Sequence, residues 1–261
     1  DCPVVHYYAR VARAMIRADQ PTCFPPELLV SVSSSSDGTM LDRTLSEMHH
    51  PQVVVHRQAF CQASGAAYTD VVYQRVVYGA GRSYDQLCEV DSAATTRHTA
   101  EMVADGLVTR SHGVGLLLPV ADCVATVLYD PVQRVLALLH LGRHSTLSPL
   151  LVRTIDRLVH EGSRAEDIIV WMSPSAQRQS YVMQYFDQAA DRAWHPFCSH
   201  EADGIHLDLP GFNAAACQRA GIAPHNIHIS PIDTVTSPDY FSHAAGDTAG
   251  RFAVLAMMRE D

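Results

Sequence analysis

The apolar positions of this chain gather in short runs separated by glycine, proline and polar turns, a pattern that predicts strands alternating with helices. Two runs stand out, Gly115 to Tyr129 and Arg134 to Leu141, flanking Asp130-Pro131-Val132-Gln133. Apolar runs around a proline-containing turn predict an antiparallel hairpin. With the hairpin symmetric about the Pro131–Val132 bond, Cys123 and His140 stand opposite each other, their Cβ atoms roughly 4.5–5.5 Å apart. At that spacing a thiolate and an imidazole can share a metal ion, or the imidazole can activate the thiol. A slip of one residue would turn one of them to the other face. Ala121 and Ala125 share the Cys123 face and, being small, leave room above the sulfur. The alternative is a buried free cysteine beside a satisfied core histidine.

Elsewhere the pattern predicts a helix over residues 1–20, stopped by Pro21, Pro25 and Pro26. Strands are predicted over Leu28 to Val32, Val53 to Val55, Val71 to Tyr78, Ile168 to Met172, Ile205 to Leu209, Ile227 to Ile229 and Arg251 to Met257. Helices are predicted over Ser145 to His160, Tyr181 to Trp194 and Pro210 to Ala220, the last ended by Gly221. With no repeat, low-complexity tract or linker, residues 1–261 are expected to form a single α/β domain, a mixed β-sheet flanked by helices.

Composition narrows the chemistry. The 261 residues include no lysine; all 19 basic residues are arginine. Schiff-base chemistry and a Walker A loop both need a lysine amine and are excluded. Anionic groups must therefore meet arginine, a helix N-terminus or backbone N–H groups. A net charge of −9 argues against duplex nucleic acid as a partner. No run approaches the ~20 apolar residues of a membrane span, so no membrane partner is expected. Seven scattered cysteines without C-x-x-C suggest a reducing compartment, hence a cytoplasmic location. The 15 histidines raise the prospect of metal or acid–base chemistry. His195-x-x-Cys198-x-His200 matches no zinc spacing, and Gly79-x-Gly81 lacks the third glycine of a dinucleotide loop.

Three segments carry a family resemblance: Ala104-Asp105-Gly106-Leu107-Val108-Thr109, Val120-Ala121-Asp122-Cys123 and His140-Leu141-Gly142-Arg143. They resemble A-D-x-L-V-T, T-A-D-C and H-A-G-W-R-G of the laccase-domain proteins. These are also called multicopper polyphenol oxidase-like or purine nucleoside phosphorylase-type proteins, and share the 17-residue step from Cys to His. Ser173-Pro174-Ser175-Ala176, Asp208-Leu209 with Asn213, and Phe241-Ser242 with Gly250-Arg251 resemble further family features, and the likeness is strongest over residues 76–258.

The resemblance implies a fold similar to that of cysteine-hydrolase-like toxin deamidases. It implies zinc or copper held by a histidine of Q-V-H-G together with Cys123 and His140. The third position is tyrosine here: Gln74-Arg75-Val76-Val77-Tyr78-Gly79 offers Tyr78, and Ser83-Tyr84-Asp85 offers Tyr84. A neutral phenol is a poor zinc ligand, so the cofactor can be absent; His112 and His144 are the candidate substitutes. The implied reaction is metal-assisted phosphorolysis of purine nucleosides such as adenosine and inosine, with adenosine deamination beside it. The partners are then a small-molecule nucleoside and phosphate. Cys123 and His140 are the catalytic candidates, and Arg82, Arg143, His144 and His243 the substrate-binding candidates. Three other readings stay open: a metal-free hydrolase or deamidase with Cys123 as nucleophile and His140 as base, a copper polyphenol oxidase, and a nucleoside-binding protein that has lost catalysis.

Overall fold

The computed structural model describes residues 15–95 and 101–260. In chain order the strands are β1 (Leu28–Val32), β2 (Val71–Arg75), β3 (Leu87–Glu89), β4 (Glu101–Val103), β5 (Gly106–Thr109), β6 (Gly115–Val120) and β7 (Val124–Asp130). Then come β8 (Val135–Leu141), β9 (Ile169–Met172), β10 (Val182–Met183), β11 (Cys198–Glu201), β12 (Gly204–Leu207), β13 (Ile227–Ile229) and β14 (Phe252–Met258). Strands β1-β14-β6-β2-β4 form a five-stranded mixed sheet, and β13-β9-β7-β8-β5-β3 a six-stranded one. A small antiparallel sheet joins β10, β12 and β11.

The two-residue side-chain period explains why the large sheets stack. Leu116 and Leu118 of β6 point one way with Val254 and Ala256 of β14, and meet Val127 of β7 and Leu138 of β8 in one buried layer. The intervening Leu117 and Leu255 point the other way, onto Phe60 of the helix Pro51–Ser64. On the far side of the second sheet, Val124, Leu128 and Leu139 pack against Ile155 and Leu158 of the helix Leu150–His160. Cys217 of the helix Leu209–Arg219 joins the same layer. The result is helix, sheet, sheet, helix, with both strand faces buried and each buried Leu or Val contributing roughly 1.5–3 kcal/mol.

The run Gly115 to Tyr129 is two strands in different sheets. The chain leaves the first sheet at Val120, bends over residues 121–123 and enters the second at Val124. The hairpin register also differs from expectation. Ala125 pairs with His140 and Asp130 with Val135, so the axis lies one residue further on, between Val132 and Gln133. The turn has four linking residues because Asp130 Oδ1 accepts from Val132 N at 2.8 Å and Gln133 N at 3.0 Å, and Arg134 takes φ +49. Moving the axis by one residue shifts partners by two, so Cys123 and His140 keep the same face.

Val53–Val55 lies in a helix, not a strand. His50 caps it through Gln52 N, Pro51 suits its first turn, and left-handed Gly65 closes it. Tyr181–Trp194 is not helical: it holds β10 and a 3₁₀ turn, Asp187–Ala190. Ser145–His160 splits at Pro149 into the helices Arg143–Leu147 and Leu150–His160. Of the predicted helix 1–20, residues 1–14 lie outside the described residues, and Arg17–Asp19 form a 3₁₀ turn. Six cysteines, Cys23, Cys61, Cys88, Cys123, Cys198 and Cys217, are free. Among the described residues no helix is long and apolar enough to cross a membrane.

Candidate functional site

The bend between β6 and β7 puts Cys123 at the edge of the layer between the two sheets. Asp122 adopts φ +69, a left-handed conformation that aspartate tolerates better than most residues. Its Oδ1 accepts from Thr234 Oγ1 at 2.8 Å, its Oδ2 from Ala244 N at 2.8 Å, and its carbonyl oxygen from Ala176 N at 3.0 Å. Three distant segments thus fix the cysteine loop. On the other strand, Ser145 Oγ donates to the His140 carbonyl at 2.7 Å and accepts from Gly142 N at 3.0 Å. A Cβ on Gly142 would stand 3.0 Å from Cys123 Sγ and 3.2 Å from His140 Cε1. The absence of a side chain there leaves the sulfur and the imidazole close to a common point.

Tyr78 completes the group. Its hydroxyl lies 3.3 Å from His140 Nε2, and Cys123 lines the same cleft. The ring meets His140 edge-on, with centroids 6.1 Å apart, and is itself half exposed, so only its polar end turns inward. Tyr84, the other candidate, faces away: its hydroxyl bonds Gly79 N and O at 3.2 Å, and its ring stacks on His144 at 4.6 Å.

Burial sets the charge state. It pushes the Cys123 thiol up to about 12, with the nearby Asp122 carboxylate adding to the rise. It pushes His140 down to about 4 and raises the Tyr78 phenol, to which Cys123 contributes. All three groups are therefore neutral near pH 7, and no thiolate–imidazolium pair forms between Cys123 and His140.

These side chains line one end of a cleft of about 670 Å³, shared with Arg43, His243 and Arg251. Arg251 is buried, and burial and then the positive charge of Arg43 lower its pKa. Its guanidinium donates to the Gly250 carbonyl. Among the described residues neither arginine makes an ion pair. Gln74, on the same wall, donates to the Ala104 carbonyl at 3.4 Å while its Oε1 has no partner.

Of the substrate-binding candidates, only His243 lines this cleft. Arg82 turns onto buried Asp105 at 3.4 Å, a carboxylate that also accepts from Gln86 N. Arg143 lies 3.5 Å from exposed His144. His112 sits in the turn before β6, at the opposite end of that strand from Cys123. The cleft arginines were not picked out as a pair from sequence: Arg251 entered only through the Gly250-Arg251 family feature, and Arg43 not at all. The absence of lysine assigned anion binding to arginine without saying which, and Arg43 carries no local signal.

A metal fits this group poorly. Among the described residues no third His, Cys, Asp or Glu joins Cys123 and His140, and the Tyr78 hydroxyl already occupies the His140 nitrogen that would face an ion. A different set could hold an ion: Glu201, Asp203 and His206, whose ligand atoms lie within 4.8 Å of one another. They sit on the β11–β12 hairpin, and none of them lines the cleft.

The pattern of multi-copper polyphenol oxidoreductase laccase proteins matches residues 40–259. A purine nucleoside phosphorylase of Mycobacterium bovis is 26% identical over 220 residues, 79% of each chain. One of Deinococcus radiodurans is 31% identical over 165 residues, 60% of this chain and 62% of that protein. The fold is that of YlmD from Geobacillus stearothermophilus, with a TM-score of 0.77 and 21% identity over 95% of this chain and 97% of that one. Bacillus licheniformis YfiH follows at 0.74 and 22%, covering 89% and 93%. The match spans the bend at Cys123, His140 and both cleft arginines: the chain belongs to the multi-copper polyphenol oxidoreductase laccase family, whose name implies metal binding.

Proposed function

We propose that the chain is a purine nucleoside phosphorylase-like enzyme, with Arg43 and Arg251 holding phosphate in the cleft. The observation that carries this reading is that Arg43 and Arg251, one of them buried, share the cleft with Cys123, Tyr78 and His140 and make no ion pair among the described residues. Arginine matches phosphate oxygens in a planar fork. A phosphate oxygen would attack the ribose C1′ as the glycosidic bond to the purine breaks. The proton of hydrogen phosphate ends on the departing base. The neutral thiol, phenol and imidazole offer hydrogen bonds to the nucleoside. Relatives named purine nucleoside phosphorylases support the reaction class. Adenosine and inosine are the proposed substrates, with adenosine deamination as a side activity.

Cys123 is not the nucleophile in this reading, because burial holds its thiol up at about 12. A raised thiol weighs against the metal-free hydrolase, which needs a ready thiolate. Phenol oxidation needs copper, and among the described residues no three ligand-type side chains of the cleft converge on one point.

The test is base release from inosine and adenosine with and without inorganic phosphate, followed by chromatography. Release should require phosphate and yield ribose 1-phosphate. Arg43→Ala should lower kcat/KM for phosphate by about 10- to 150-fold, the equivalent of one lost charge-assisted bond of about 1.5–3 kcal/mol. Release at the same rate without phosphate, or an unchanged kcat/KM for phosphate in Arg43→Ala, would overturn the assignment.

A further inference from the structure

We infer that Tyr78 stands in for a metal ion. Its hydroxyl engages His140 beside Cys123 in a metal-free group, and Tyr78→His alone would turn that group into a zinc site. The inference concerns how the group is held together and is independent of the reaction proposed above.

Three observations carry it. First, the Tyr78 hydroxyl lies 3.3 Å from His140 Nε2 on the cleft that Cys123 also lines, and Cys123 Sγ and His140 Cε1 both crowd the Cβ direction of Gly142. Whichever atom donates, the His140 nitrogen is engaged, so the phenol and an ion compete for one coordination direction. Second, a structural or catalytic zinc takes at least three protein ligands, and among the described residues only Cys123 and His140 qualify here. Third, the scaffold is already tight enough to hold a metal-like geometry. Asp122 is anchored to Thr234, Ala176 and Ala244, and Ser145 clamps the backbone of His140 and Gly142. What is lacking is a third donor. An imidazole at position 78 is shorter than a phenol, so it would withdraw from the point where the hydroxyl sits and leave room there for an ion facing three ligands.

Metal content tests this directly. Wild type, Tyr78→His, Tyr78→Phe and the double variant Tyr78→His with Cys123→Ala would each be incubated with zinc, desalted and measured by elemental analysis. Circular dichroism melts would establish that each is folded. Any ion on Glu201, Asp203 and His206 is common to all four proteins; above that shared level, wild type and Tyr78→Phe should hold no zinc. Tyr78→His should retain about one more, and the double variant should lose it. Cobalt in Tyr78→His should show a thiolate-to-metal charge-transfer band that the double variant lacks. Zinc near one per chain in wild type, removed by Cys123→Ala, would overturn the inference. So would a folded Tyr78→His protein that takes up neither ion above the shared level. Phosphorolysis does not enter these readouts, so failure here and failure of the proposed reaction are told apart.

Discussion

His140 and His206 both sit among side chains of metal-ligand type, and their surroundings drive them in opposite directions. His140 is enclosed between the two large sheets with a neutral phenol and a neutral thiol, and burial pushes it down to about 4. His206 lies on the small sheet with its Nε2 2.8 Å from Asp203 and 3.8 Å from Glu201, both exposed. The hydrogen bond to Asp203 raises its pKa, and the Arg178 carbonyl at 3.1 Å holds the other ring nitrogen. Residue type alone therefore predicts little. A histidine behind apolar strands is a neutral hydrogen-bonding group, whereas one facing carboxylates is a cation in waiting.

The largest expected effect is on acid stability. His140 is neutral in the fold well below its ordinary pKa, so it favours the fold above pH 6.5 and loses that contribution as pH falls toward about 4. Carboxylates also titrate in that window, so the quantity to measure is the difference between wild type and His140→Asn in urea denaturation. Between pH 7 and pH 4 the wild-type advantage should shrink by about 3 kcal/mol. A difference that stays flat would show that His140 is not held neutral by its site.

Gly142→Ala should cost less, about 1–3 kcal/mol, because a methyl group at 3.0 Å from Cys123 Sγ and 3.2 Å from His140 Cε1 overpacks the group. The check is a urea midpoint shift with unchanged slope, together with weakened protection of the Cys123 thiol from alkylation. A folded variant of unchanged midpoint would mean that the two side chains move apart without cost.

The same contrast shows what could be read from the chain. β7 and β8 were legible because the two-residue period survives an error in register. The turn proved longer than the Pro131 signal implied, since the Asp130 side chain organises it. The bend at residues 121–123 was hidden because the apolar run continues through it although the strand changes sheet. Val53–Val55 was misread because three β-branched residues outweighed the His50-Pro51 start and the Gly65 stop. Cys123 immediately precedes β7 and His140 lies on its neighbour β8, so spacing could propose the pair. Tyr78 was visible only through the family resemblance, with Tyr84 as an equal alternative. Arg43 and Arg251 come from loops at opposite ends of the chain, and nothing local in the sequence joins them.

The smallest effect belongs to the cluster on the small sheet, where buried His206 meets exposed Glu201 and Asp203. Asp203→Asn removes the partner that raises the His206 pKa. His206 is raised above its ordinary value, so the stabilisation is present at pH below 6.5 and disappears as pH rises through the folded-state pKa. Any loss of stability in the variant should therefore be present below pH 6.5 and fade as pH rises, the reverse of the His140 behaviour. Exposed ion pairs contribute little, so the change in the urea midpoint should be near the limit of measurement. The sharper readout is the His206 ring titration by NMR, which should move to lower pH in Asp203→Asn while that of His140 stays where it is. A His206 titration unmoved by the substitution would assign its raised pKa to the Arg178 carbonyl instead, and the opposition between the two histidines would then rest on backbone hydrogen bonding rather than on the exposed carboxylate.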